Sequence, residues 1–105
     1  MPERHDGDRL ARLYAEHRDA PYPAGFRGVD IAGVELILLD ADVTVLARRE
    51  LDGGLDEEGV AMLWWCAAGL DKVLPLIDDA YCASYFTRLR TMAGEVAARH
   101  PHSAG

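Results

Sequence analysis

Val60-Ala-Met-Leu-Trp-Trp-Cys-Ala-Ala-Gly-Leu70 is a run of eleven residues without a charge, and it holds both tryptophans of the chain. At 100° per residue, Val60, Leu63, Trp64, Ala67, Leu70 and Leu74 fall on one side, so the run reads as the middle of a core helix. Asp56 supplies a capping side chain ahead of it, and Glu57 and Glu58 place negative charge in the first turn, where a helix favours it. Pro75 ends the helix at about Leu74. Trp65 points away from the core stripe, among Ala61, Ala68, Gly69 and Lys72. Small side chains around one large aromatic are what a close helix contact uses, and tryptophan is enriched where interfaces are strongest. Three covers for Trp65 are open: the first helix or the 21–28 loop of the same chain, a second copy or another protein, or a ligand.

Downstream, Cys82, Tyr85, Phe86, Leu89, Met92, Ala93, Val96 and His100 share one broad face of a last helix that starts near Asp78. Glu95 and Arg99, one turn apart, are a favourable pair. The short link around Pro75 makes this helix and the tryptophan helix an antiparallel αα-hairpin that supplies most of the core.

Upstream, Leu10, Leu13, Tyr14 and His17 mark a first amphipathic helix over about Asp8–Asp19, capped by Asp6 or Asp8. Pro21 and Pro23 stop it. The loop Pro21-Tyr-Pro-Ala-Gly-Phe-Arg-Gly28 comes next, with Tyr22 and Phe26 placed to cover the core. Val29 and Ile31, then Val34 and Leu36, flank Ala32-Gly33, which is the pattern of a hairpin closed by a two-residue turn. In that register Ile31 faces Val34 and Asp30 sits opposite Glu35, and the second strand runs to about Leu39. Asp40 then caps a helix from Ala41 to about Leu51, although the β-branched Val43, Thr44 and Val45 would also suit a longer strand. Gly53-Gly54 closes the segment. The fold class is therefore mainly α with a small antiparallel β-hairpin (α+β), with about four helices and the hairpin between the first two.

With 105 residues the chain is a single domain able to bury a normal core, with residues 1–6 and 101–105 expected to be flexible. Eleven Lys and Arg against eighteen Asp and Glu give a net charge of −7, which argues against nucleic acid as a partner. Lys72 is the single lysine, and neither Asn nor Gln occurs, a bias expected of a GC-rich bacterial genome. Met1–Leu10 is charged where a signal peptide is apolar, and the charge-free run is shorter than the roughly 20 residues a bilayer needs. No membrane association and a cytoplasmic location are the expectations. Cys66 and Cys82 match no metal or redox spacing and read as small buried hydrophobes.

No motif carries strong chemistry. Asp30, Glu35, Asp40 and Asp42 cluster around the hairpin, yet the Asp-Ala-Asp lacks the glycine and distal glutamate of a calcium loop, so no metal and no cofactor are expected. Asp78 and Asp79 start a helix and read as caps. Ser84 and Ser103 stand in no nucleophile turn, and no catalytic residue is assigned. His17 and His100 close helices, where the dipole favours them. Arg27, between Phe26 and Gly28, either presents its guanidinium to an anion or pins the loop through Asp30 or Asp40.

Two functions are expected from these features. One is a non-enzymatic interaction or regulatory module acting as a homodimer or on a protein partner through Trp65, Ala61, Ala68, Gly69 and Lys72. The other is a small-molecule binder or enzyme whose pocket lies between the hairpin and the 21–28 loop, using Tyr22, Arg27, Asp40 and Asp42. Residues 22–42, with their tyrosine-proline loop, arginine-glycine pair and Leu-Leu-Asp-Ala-Asp run, resemble small actinobacterial proteins of no assigned activity. The resemblance spans a fifth of the chain and implies no residue roles.

Overall fold

A carboxylate at a helix entrance removes one orphan N–H, and in the computed structural model, which describes residues 5–100 and side chains from Arg9 onward, Asp56 does this for the tryptophan helix. Its Oδ1 accepts from the Gly59 N–H at 2.8 Å. In chain order the elements are α1 (His5–Asp19), β1 (Asp30–Ile31), β2 (Val34–Glu35), α2 (Leu36–Asp52), α3 (Glu57–Val73) and α4 (Ala80–Ala97), with a 3₁₀ turn over Leu74–Leu76. The mainly helical α+β architecture is the one the sequence specifies, and α3 with α4 forms its αα-hairpin. Helix α4 packs against α1, α2 and α3, and α2 against α1 and α3, so α4 and α2 form the centre of the domain.

The core is assembled from one stripe per helix: Leu10 of α1, Leu36, Leu39, Val43, Leu46 and Ala47 of α2, Leu63, Cys66, Leu70 and Val73 of α3, and Cys82, Phe86, Leu89, Met92 and Val96 of α4. Tyr22 and Phe26 pack on its edge, as the loop's composition implies. Helix α3 is rotated from the expected stripe. Its buried side runs through Gly59, Leu63, Cys66, Ala67, Leu70 and Val73, while Val60, Trp64 and Leu74 are half-buried. The cause is a second wall: α3 lies against α2 as well as α4, and this draws Cys66 and Val73 inward. Glu57–Leu76 is also long and apolar enough to cross a membrane, with a mean hydropathy of 1.2 over its window. Here its buried stripe is part of the core between α2 and α4.

The hairpin has the expected register, Asp30 opposite Glu35 and Ile31 opposite Val34. Its exit departs from the expectation. The second strand ends at Glu35, not Leu39, and α2 begins at Leu36 with its first N–H donated to the Val29 carbonyl at 3.2 Å. Leu36-Ile-Leu-Leu39 is helical because Leu36, Leu39, Val43, Leu46 and Ala47 repeat with the helical period and bury together. The segment 41–51 is accordingly helix, and Asp40 lies inside α2 rather than capping it. Helix α1 starts at His5, so Asp6 and Asp8 fall within the helix instead of before it. Helix α4 starts at Ala80, capped by Asp79, whose Oδ2 accepts from the Cys82 N–H at 2.9 Å. Glu95 pairs with Arg9 of α1 at 3.0 Å, and Arg99 reaches Glu50 at 3.6 Å, so these charges tie helices together. The expected flexibility of 1–4 and 101–105 lies outside the described residues.

Candidate functional site

Helix α2 separates two surroundings. On one side is Trp65, which the described residues leave 78% exposed. A hollow of about 240 Å³ opens beside it, lined by Val34, Leu39, Trp65, Ala68, Gly69 and Lys72. Gly69 keeps its floor low, since a Cβ there would stand 3.5 Å from Leu39 Cδ1. A second hollow, about 310 Å³, shares Val34, Leu39 and Trp65 and adds Glu35, Leu38, Asp42 and Cys66. Leu38 and Val45 of α2 and Met62 of α3 are also exposed. Of the surface residues expected around Trp65, Ala68, Gly69 and Lys72 line the first hollow, and Ala61 is exposed on the same helix. Val34, Leu38 and Leu39 join them from the hairpin and α2. Leu38 and Leu39 escape a reading of the sequence that assigns 36–39 to a strand, because a strand would aim alternate leucines elsewhere.

On the other side of α2 sits a buried polar network. Asp40 Oδ1 accepts from His17 Nε2 at 2.6 Å and its Oδ2 accepts from the Tyr85 hydroxyl at 2.9 Å. Arg88 Nε–H donates to His17 Nδ1 at 3.3 Å, which leaves Nε2 to face Asp40 as the donor. The Arg88 guanidinium lies 5.6 Å from the centre of the Tyr85 ring, and its buried Nη2 has no hydrogen-bond partner among the described residues. Burial, and then the hydrogen bond to Asp40, push the Tyr85 hydroxyl well above the usual phenol range. Tyr22 is raised in the same direction by burial and by Asp40, and donates to the Phe26 carbonyl at 3.1 Å. His17 is 3% exposed. It is a tether between α1, α2 and α4 rather than a helix-end charge. Asp40 and His17 are 23 residues apart, and no local signature announces such a pair.

The four residues expected to form a small-molecule pocket are not gathered in one place. Asp40 belongs to the polar network, Tyr22 packs edge-on against Tyr85 beside it, and Arg27 is exposed, with no ion pair to any described residue. Asp42 faces the Trp65 side, where burial and then its charge hold the Cys66 thiol up at about 11. Neither cysteine is activated, since burial also raises Cys82. Among the described residues no three His, Cys, Asp or Glu side chains converge as metal ligands. Both ring nitrogens of His17 are engaged, one by Asp40 and one by Arg88, so neither is open to take a substrate's proton. No family model, curated protein or solved structure matches the chain.

Proposed function

We propose that this chain is a non-enzymatic protein-interaction module that docks through the face centred on Trp65. The observation that carries the reading is an indole 78% exposed beside an apolar hollow in an otherwise well-packed domain. Exposed leucines are ordinary on a soluble surface, but a tryptophan flanked by Leu38 and Met62 forms a contiguous patch of the kind that marks interaction sites. The hollow's 240 Å³, walled by Val34, Leu39 and the indole itself, is of a size to take one large side chain. The buried polar network fits the same reading, because His17, Asp40 and Tyr85 bond one another across three helices. A bacterial cytoplasm, where Cys66 and Cys82 stay reduced, is the setting that fits.

Photo-crosslinking in cells tests it. A benzophenone amino acid at position 65 is expected to give a protein adduct of discrete mass, and the same residue at the exposed Glu16 of α1 to give none. No protein adduct at 65, or identical adducts at both positions, overturns the reading.

A further inference from the structure

We infer that the occupant of the Trp65 face is a second copy of this chain, related by a two-fold axis so that Trp65 of each copy enters the hollow of the other. This rests on the Trp65 face being an interaction surface and adds what covers it. A two-fold interface uses the same patch on both copies, so the patch must be complementary to itself. This one carries projection and recess side by side. The indole of Trp65 is the projection, and it is also one wall of the recess completed by Val34, Leu39, Ala68, Gly69 and Lys72. An axis between the two seats each indole against the other copy's Ala68 and Gly69, the smallest side chains of the face.

The charges agree with that placement. Lys72 lines the first hollow, while Glu35 and Asp42 line the second, and the two hollows share Val34, Leu39 and Trp65. None of the three makes an ion pair with a described residue, and Lys72 is the chain's single lysine. A two-fold that seats each indole in the other copy's hollow brings Lys72 of each copy to a face that carries Glu35 and Asp42, twice over. Two copies of a chain with net charge −7 repel at long range, and a local exchange of opposite charge offsets that repulsion at contact. A heterologous partner would place no such demand on the pattern. A stable interface needs about 800 Å² from each copy. That is about one eighth of the 6423 Å² surface, and Leu38, Val45 and Met62 supply exposed apolar side chains on the two helices that carry Trp65 and Asp42.

Sedimentation velocity on the full chain, from low to high micromolar, tests the inference, with urea unfolding confirming that each variant folds. The wild type is expected to dimerise. Trp65→Ala is expected to weaken dimerisation by about 30-fold or more, as a central tryptophan does when truncated. Gly69→Met, which fills the recess, is expected to weaken it as well. Lys72→Glu and Asp42→Lys each weaken it, and the two together in one chain restore it to within a few fold, because the exchanged charges again face each other. A wild type that stays monomeric throughout overturns the second copy, and so does a dimer that persists in both Trp65→Ala and Gly69→Met. A dimer that Trp65→Ala dissolves but the double charge exchange does not restore overturns the two-fold arrangement. The crosslinking separates this failure from that of the broader reading: adducts at position 65 with other proteins, from a monomeric chain, leave the interaction face standing and remove only the second copy.

Discussion

Asp40 and Asp42 are separated by a single alanine and lie on opposite sides of α2, and the molecule treats them in opposite ways. Asp40 is largely buried, with one oxygen held by His17 and the other by Tyr85. Asp42 is exposed on the Trp65 face and makes no ion pair with a described residue. A buried carboxylate has to be saturated or it costs several kcal/mol, so Asp40's neighbours are fixed by folding. An exposed one loses little by waiting for a partner. The side of α2 that is finished within the chain is therefore structural, and the side left unfinished is where binding energy is still available.

The largest test of this contrast removes each carboxylate in turn. Asp40→Ala leaves the His17 N–H and the Tyr85 hydroxyl without their acceptor and is expected to cost about 3–5 kcal/mol. Asp42→Ala is expected to change stability by less than about 0.5 kcal/mol. Urea midpoints at neutral pH measure both. Equal effects would mean that Asp40 is solvated and the two sides of α2 are not distinct.

A smaller effect should appear in alkali. Burial raises the Cys66 thiol from its ordinary 9.0 to about 11, and Tyr85 is raised as well. Between these two Cys66 values the unfolded chain has released its thiol proton while the folded chain still holds it, so the unfolded state binds fewer protons and stability falls as pH rises. The part due to Cys66 is on the order of 2 kcal/mol, complete only above its folded pKa. Urea midpoints should decline from about pH 8 to about pH 10, and Cys66→Ala should flatten that decline. An unchanged slope in Cys66→Ala would mean that the thiol is open to water through the Trp65 hollow it lines. The native thiol should also react slowly with a disulfide reagent, because little thiolate is present.

How far the sequence discloses these regions depends on the range of the interaction that sets each one. The α3 start is legible because Asp56 bonds to a backbone group three residues away, and the hairpin register because a two-residue turn dictates the pairing. The run Leu36–Leu39 is apolar at every position, and such a run fits a buried strand or a helix turn equally; only packing of Leu36 and Leu39 against the other helices decides. That packing brings Leu38 and Leu39 to the Trp65 face and turns Asp40 to the interior. The network of His17, Asp40, Tyr85 and Arg88 joins three helices, and its members stand at ordinary helical positions with no spacing between them to read. Trp65 is legible as the odd residue on α3, but whether a neighbouring element covers it is a tertiary question, and none of the described ones does.

The smallest expected effect lies at the hairpin turn that leads into the Trp65 face. Ala32 and Gly33 have φ of 53° and 80°, the left-handed pair of a type I′ turn. Glycine takes this conformation freely, whereas alanine's Cβ costs about 1 kcal/mol there, and asparagine is tolerated better. Ala32→Asn is expected to raise stability by about 0.5–1 kcal/mol, read as a urea midpoint shift. The gain appears in global unfolding only if β1 and β2 melt together with the helices. Gly33, Val34 and Glu35 line the hollows beside Trp65, and Leu36 starts α2 with its N–H on Val29, so the turn is coupled to the core through that bond. No gain would show the hairpin opening independently of the helical core. The wall of the Trp65 face formed by Val34 would then be ordered by its partner, and the unfinished side of α2 would be unfinished in backbone as well as in contacts.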